Sequence, residues 1–367
     1  MANLGNKTDF NKIYVNLSKE ILDEMKNLNI CSDYYKDENY VMINGECITV
    51  MKFLIDKGVQ VNHILTDIPY GTVQGLNLEG WKKKGYVPNW DTRIDPYKML
   101  ECCFYISKSN SNLMLFSQEP NTYDIFKANE EFQKYVLSNK MIWVKNNHAN
   151  SFSAKTTPVN MYEEILLFRK SLDETNSIEL RNYFKNMLKY IGIPKKEIME
   201  QLGQGLDHCF RYANRTFYIP TEKNYNALIS AYHINEMEGF IPYQELQNKW
   251  KIDNDVVFNI PDGQGLVRNI FQFRKDLNNI HPTQKPLALL EELITIFTRE
   301  NDTVLDFTSG SGSTGIACLH KNRKFIGIEL DTHFYEESIN WYKKENLLNN
   351  NVIETLDNPL ANALSGK

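Results

Sequence analysis

The chain has no Cys-x-x-Cys pair. Its six cysteines (Cys31, Cys47, Cys102, Cys103, Cys209 and Cys318) are scattered, and only Cys102 and Cys103 are close. That spacing excludes the common zinc frameworks and the disulfide-dense class of small secreted domain, so no metal is expected and the thiols fit a reduced cytoplasmic setting. Long apolar runs are missing too: nothing approaches the roughly 20 residues that span a bilayer, and the polar start is unlike a signal peptide. No membrane partner is expected. Positive charge is in short supply, with 41 Lys and Arg against 46 Asp and Glu, a formal net charge of −5. A coat of basic surface is therefore excluded, and a polyanionic partner would have to be held by a local basic face. What is present, 24% charged and 12% aromatic residues over 367 positions, is the material of a folded chain with a sizeable core.

Apolar spacing places a helix within residues 10–30, through Ile13, Leu17, Ile21, Leu22, Met25 and Leu28. Short apolar strands follow at 40–44, 62–67, 112–117, 140–145 and 164–169, with helical patterns at about 95–108 and 120–133 between them. Such alternation predicts a mostly parallel α/β sheet. From 171 to 275 the alternation stops and the chain becomes helical, basic and aromatic; a helix at 287–299 then leads back into a strand at 303.

Residues 302–331 hold the most informative pattern. A strand runs to Asp306, a turn carries Gly310-x-Gly312-x-x-Gly315, a helix follows, and a second strand ends at Glu329. Glycines there let the backbone approach a ligand, the helix start offers free N–H groups, and a strand-end carboxylate can accept both hydroxyls of a ribose. By itself the loop suits a nicotinamide or another nucleotide-type cofactor equally. It is also displaced. A doubly wound sheet needs more strands than the remaining tail supplies, so the rest of the sheet must come from upstream and the order must be permuted.

A second motif chooses between the ligands. Thr66-Asp67-Ile68-Pro69-Tyr70-Gly71 closes a strand where open α/β sheets place their chemistry. It resembles the D-P-P-Y motif of S-adenosylmethionine-dependent amino methyltransferases, with Ile68 in place of the first proline. Gly45-Glu46-Cys47 precedes it where that family has an acidic turn, and Asn89-Trp90-Asp91 follows where the family has W-D. Residues 281–286, His-Pro-Thr-Gln-Lys-Pro, match H-P-T-x-K-P, and Asp306 to Thr314 resemble D-P-F-x-G-S-G-T-T without the proline. The order, catalytic loop first and cofactor loop last, is that of the β group of DNA adenine-N6 and cytosine-N4 methyltransferases. The resemblance covers about 40–170 and 280–345.

The resemblance implies a Rossmann-like methyltransferase sheet in circularly permuted order, with S-adenosylmethionine as cofactor and double-stranded DNA as substrate. A second copy of the chain and a cognate restriction endonuclease are further partners it allows. Asp67 and the Ile68 carbonyl would accept the two N–H bonds of an exocyclic amine and localise its lone pair; Pro69 would stiffen the loop, and Tyr70 would stack on the base. The base must leave the duplex first. Asp67 favours adenine, with cytosine-N4 the alternative. Asp306 and Thr283 would hold the methionine end of the cofactor, Glu329 the ribose and Glu46 the adenine amine. Asp331 reads either as a second ribose acceptor or as a solvated strand-end carboxylate, His281 as a structural cap or a ligand, and Lys285 as a surface lysine.

The expected organisation is an N-terminal helical extension (1–38), a catalytic half (39–170), an inserted target-recognition region (171–275), a cofactor half (276–345) and a flexible tail (346–367). Within the insert, helices at 181–190 and 194–203 and a third over 206–213 outline a helix-turn-helix. Residues 179–224 carry eight Lys and Arg against five Asp and Glu, an excess suited to phosphates. Lys195, Lys196, His208, Arg211 and Arg215 are the candidate DNA contacts, with Arg211 and His208 on one face of the third helix. The bland alternative is a helical subdomain with solvated cations. Two rival functions are a nicotinamide oxidoreductase, which leaves Asp67–Tyr70 and 281–286 without a role, and a non-catalytic DNA-binding regulator.

Overall fold

The computed structural model describes residues 17–71, 92–149, 155–171, 177–213, 216–254, 256–261, 263–277, 279–281 and 283–357. They form two units, one made of the residues up to Arg169 together with those from Val257 onward, the other of Lys170–Val256.

In the larger unit the strands are β1 (Asp33–Lys36), β2 (Tyr40–Asn44), β3 (His63–Asp67), β4 (Leu113–Ser117), β5 (Tyr135–Ala149), β6 (Asn160–Lys170), β7 (Ile270–Gln272), β8 (Thr303–Asp306) and β9 (Lys324–Glu329). They join one sheet in the order β1-β2-β9-β8-β3-β4-β6-β5-β7. The two last strands in sequence thus lie inside the sheet, flanked on both sides by strands from the first half of the chain. From β2 to β4 the neighbours are parallel. The expected alternation fails at β6, which runs antiparallel to β4. Only ten residues separate β5 from β6, too few for a parallel crossover.

Period-two alternation divides the central strands between two apolar layers. Val41, Ile43, Ile64, Leu113 and Leu115 pack on one face with α1 (Lys19–Asn27), α2 (Cys47–Asp56) and α3 (Pro96–Ile106). Met42, Leu65, Met114 and Phe116 pack on the other with α9 (Leu287–Phe297) and α10 (Ser313–His320). Because both faces are covered, β2 and β4 are apolar nearly throughout and buried at every position, which is why they read as continuous runs. Helix α4 (Asn121–Phe132) links β4 to β5, and α11 (Thr332–Asp357) follows β9. Two expected boundaries move. Residues 33–36, assigned to a helical extension, form β1 on the sheet, and the helix after β9 continues to Asp357 where a flexible tail was expected from 346.

The smaller unit is helical: α5 (Ser177–Ile191), α6 (Lys195–Leu202), α7 (Glu222–Tyr232) and α8 (Tyr243–Asn254). Leu180, Phe184, Met187, Ile198, Phe210, Phe217, Tyr225 and Leu246 make its core. It ends near residue 256, earlier than the expected 275, because 270–272 return to the sheet as β7 beside β5. The expected third helix of a helix-turn-helix is absent here. Residues 204–206 and 208–210 form two 3₁₀ turns, and Arg211 leaves helical geometry at φ −90°, ψ 37°. Leu206 and Cys209 are both buried, and their spacing of three is met as well by a 3₁₀ turn as by an α-helix. Phe210, four residues from Leu206, is buried too, but a run this short does not hold an α-helix by itself.

Candidate active site

Parallel strands present their carboxyl ends along one edge of the sheet. Here that edge carries Asn44, Glu329, Asp306 and Asp67, the last residues of β2, β9, β8 and β3, with Asn44 directly opposite Glu329. A cavity of about 700 Å³ opens on this edge. Asp67, Ile68, Pro69 and Tyr70 line one part of it; Thr308–Ser311, Asp306 and Glu329 line another; Glu46 and Thr283 complete it. Residues from both ends of the chain therefore meet in one concave site. Asn89-Trp90-Asp91 and Pro282 lie outside the described residues.

Each carboxylate is held by a local device. Asp306 accepts hydrogen bonds from the Thr66 hydroxyl at 2.7 Å and the Thr308 N–H at 3.2 Å, and burial pushes its carboxyl up to about 6. Glu329 accepts from the Gly310 N–H at 2.7 Å and the Asp331 N–H at 2.8 Å, and burial pushes it up to about 7. Glu46 caps α2, accepting from the N–H groups of Ile48 and Thr49 and from the Thr49 hydroxyl. Burial works against its charge, but these bonds hold it below the ordinary value. Asp331 caps α11 through the N–H groups of His333 and Phe334, and its neighbours Glu329 and Leu330, not Asp331 itself, line the cavity.

The glycine loop approaches the cavity at φ +51° for Gly310 and +78° for Gly312, conformations that disfavour a side chain. Gly310 lines the cavity and Gly312 does not. A Cβ there would sit 2.8 Å from the Cβ of Ser338, and one at Gly315 would sit 2.5 Å from Tyr40 Cε2. Both glycines are required by close packing against α11 and β2. Thr283 donates to His281 Nδ1 through its N–H at 3.3 Å, and its hydroxyl lies 3.0 Å from the same nitrogen. Burial drives His281 down to about 3, so it is neutral, and it packs on Phe334 with ring centroids 4.2 Å apart. The cap reading of His281 fits this geometry.

The sequence reading missed the charged wall beneath Asp67. Lys285, taken for a surface lysine, is 5% exposed. Its ammonium pairs with Asp67 Oδ2 and with Glu163 Oε2 at 3.1 Å, and Glu163 pairs in turn with Lys145. Tyr70 donates its hydroxyl to Asp67 Oδ1 at 2.9 Å. Burial raises Asp67 above the usual carboxylate range, with Lys285 pulling it back and Glu163 pushing it further up. Burial lowers Lys285, but the two carboxylates outweigh it and hold the ammonium above its usual value. The available signal was a pair of adjacent glutamates, Glu163 and Glu164, leading directly into the apolar run Ile165–Phe168.

In the smaller unit the candidate cations are largely engaged. Arg211 and Lys195 share Asp207, the latter at 3.4 Å, and His208 Nδ1 lies 3.3 Å from the Thr216 carbonyl. Arg181, counted in the basic excess, is buried, donates to the Tyr212 carbonyl and lies over the Phe217 ring. Lys196 is 84% exposed and only loosely paired with Glu200 at 3.9 Å. Arg215 lies outside the described residues.

Residues 61–340 match the N6/N4 DNA methylase family, and the chain belongs to it. Among curated relatives, the DNA adenine methyltransferase YhdJ of Escherichia coli (strain K12) is 24% identical over 302 residues, 82% of this chain and 81% of that protein. The Type II methyltransferase M2.MboI of Moraxella bovis is 52% identical, but over 58 residues, 16% of this chain and 21% of that protein. The match thus spans only about a fifth of M2.MboI. Among solved structures, the M1.HpyAVI–SAM complex is 20% identical, covering 83% of this chain and 97% of that one at a TM-score of 0.46. The described residues contain no helix long and apolar enough to cross a membrane, and all six cysteines are buried thiols.

Proposed function

We propose that this protein is a DNA adenine-N6 methyltransferase that uses S-adenosylmethionine. The observation that carries the reading is the convergence of Asp67–Tyr70 and the Asp306–Glu329 segment on one cavity. The names of its relatives and its family agree with it. The cofactor's fit rests on the site itself. Glu329 is a buried carboxylate with spare acceptor capacity for ribose hydroxyls, and the Ser309 hydroxyl, on the cavity wall, is buried with no hydrogen-bond partner among the described residues. Asp306 and Thr283 would hold the methionine end and Glu46 the adenine. When bound, the cofactor supplies an electrophilic methyl group.

The chain's own residues prepare the acceptor. An aromatic amine is a weak nucleophile because its lone pair is delocalised. Asp67 and the Ile68 carbonyl, accepting its two N–H bonds, favour a pyramidal nitrogen whose lone pair points along the line of attack; orientation and electrostatics do most of the work. Tyr70 supplies a stacking face while its hydroxyl steadies Asp67. The target base is extruded from the duplex, where neither contact is possible. We read the sheet order as the permuted arrangement of the β group, the helical unit as the DNA-reading part, and the cytoplasm as the setting. A second copy of the chain and a cognate restriction endonuclease are the protein partners this reading adds.

The test is incubation of the purified chain with isotope-labelled S-adenosylmethionine and duplex DNA of mixed sequence, followed by nucleoside mass spectrometry. Label on adenine N6 supports the proposal. Label on cytosine N4 replaces adenine by cytosine, and no label on any nucleoside overturns it.

A further inference from the structure

Lys145, Glu163, Lys285 and Asp67 form a line of charges alternating in sign, and the first three are each less than a tenth exposed. The Lys285 ammonium also lies 5.1 Å from the centre of the Phe116 ring at the end of β4. Such a line is expensive to bury, and its ammonium at Lys285 is aimed at the acceptor carboxylate. We propose that Lys285 is a positioning residue for methyl transfer, keeping Asp67 ionised and fixing the direction of its carboxylate. This rests on the methyltransferase reading above.

The need is chemical. A protonated Asp67 would carry an O–H donor where the base amine requires an acceptor. Burial and the neighbouring Glu163 both favour that protonated form; Lys285 is the main group opposing them, with the Tyr70 hydroxyl adding to it. The carboxylate is also pinned at both ends, by Tyr70 at Oδ1 and by Lys285 at Oδ2. Each oxygen retains a second lone pair for an incoming N–H. Lys285 itself stays an ammonium held between two carboxylates, so it neither takes the methyl group nor attacks the base.

The other groups facing this wall are Tyr70 on the loop after β3, Glu163 on β6, Lys145 on β5, Lys275 after β7, His281 on the loop before α9 and Asp306 at the end of β8. His281 is neutral across the working range. Asp306 titrates near 6 and is present in every variant, so shifts between variants report on Asp67 and its partners.

The test compares the pH profile of kcat for wild type, Lys285→Met, Lys285→Arg and Glu163→Gln on duplex DNA, with cofactor affinity measured by calorimetry. Lys285→Met should lower kcat by about a hundredfold or more while leaving cofactor affinity within a few-fold. Its acidic limb should move up by about one pH unit or more. Lys285→Arg should recover part of kcat and return the limb toward wild type. Glu163→Gln should move the limb down, since it removes a like charge and leaves Lys285 to Asp67 alone. A Lys285→Met enzyme with wild-type kcat and an unmoved limb overturns the proposal. If that variant does not fold, Glu163→Gln decides: a limb that stays or rises overturns it. Wild type inert on every DNA defeats the methyltransferase reading and this proposal with it, whereas an active wild type with an indifferent Lys285 defeats only the proposal.

Discussion

Replacing Glu329 by glutamine should flatten the pH dependence of stability, because the native residue is held where its charge is unwelcome. In the unfolded chain its carboxyl titrates near 4.5; in the folded protein burial moves it to about 7. Between these values the folded state keeps a proton that the unfolded state has lost. Stability therefore falls as pH rises through that window and is level above it. At about 1.4 kcal/mol per pH unit the loss totals about 3 kcal/mol, most of it between pH 5 and pH 8.5. Glutamine cannot ionise, so its protein escapes the loss. It can still accept from one of the two N–H groups of Gly310 and Asp331 but not both, which costs about 1–3 kcal/mol at every pH. The variant should thus be the weaker protein at pH 5 and equal to or stronger than wild type at pH 8.5. Asp306, moved to about 6 by the same burial, is common to both proteins and largely cancels. Urea unfolding at the two pH values measures the difference directly. If the gap between variant and wild type is the same at both, within about 0.5 kcal/mol, the buried-charge account of Glu329 is wrong. The functional counterpart is a loss of cofactor affinity in the same variant: a carboxylate retained against its own stability is expected where a ligand's hydroxyls need it.

Asp67→Ala should abolish methyl transfer and leave calorimetric cofactor affinity within a few-fold; an active variant would remove the acceptor role. Tyr70→Phe keeps the stacking face and loses only the hydroxyl to Asp67, while Tyr70→Ala should weaken capture of a fluorescent base analogue by about 1–3 kcal/mol; equal losses in both variants would assign Tyr70 to the hydrogen bond alone. Gly315→Ala, whose Cβ would meet Tyr40 and Phe325 at 2.5 and 2.8 Å, should lower stability by about 1–3 kcal/mol, and an unchanged Tm would refute the packing role. In the smaller unit, Lys196→Ala should weaken binding to all DNA sequences alike and reduce the salt slope by about one; Arg211→Ala, whose partner is Asp207, should do so less, and the reverse ranking would make Arg211 the stronger DNA contact.

The fold was legible where both the period and the terminus of a strand were written in the sequence. Strands β2, β3 and β4 announced themselves as apolar runs that ended in Asn44, Asp67 and Ser117, because a parallel strand is buried on both faces and so reads as a continuous apolar run. The same logic placed β8 and β9 and hence the edge that carries the site. Legibility failed where local pattern and tertiary contact disagreed. β7 spans three residues, with Phe271 buried between exposed Ile270 and Gln272, too short for any periodicity to register. The run from Leu206 to Ala213 has helical composition but too few turns for nucleation to favour a helix without packing, and Asp207 takes up Arg211 and Lys195 locally.

Lys285 shows a different kind of limit. Its motif was read, and its neighbour His281 was weighed as a cap, yet nothing in residues 281–286 indicates that the lysine points inward. The indication lies elsewhere, in two adjacent glutamates that open the buried part of β6. Glu163 and Glu164 are both less than a tenth exposed, followed directly by buried Ile165, Leu166, Leu167 and Phe168. A carboxylate leading into a fully buried strand must find a cation, since an unpaired buried charge is far too costly. Glu164 finds Lys140 on β5, and Glu163 finds Lys145 and Lys285. The strand therefore predicts that at least one lysine from elsewhere is drawn inside, even though the sequence cannot say which. Geometry then makes the choice: β6 lies beside β4, which lies beside β3, so a cation answering Glu163 is brought within reach of Asp67. On this account the Lys285–Asp67 pairing is a consequence of an acidic residue in a buried antiparallel strand, and Glu163→Gln should leave Lys285 to Asp67 alone.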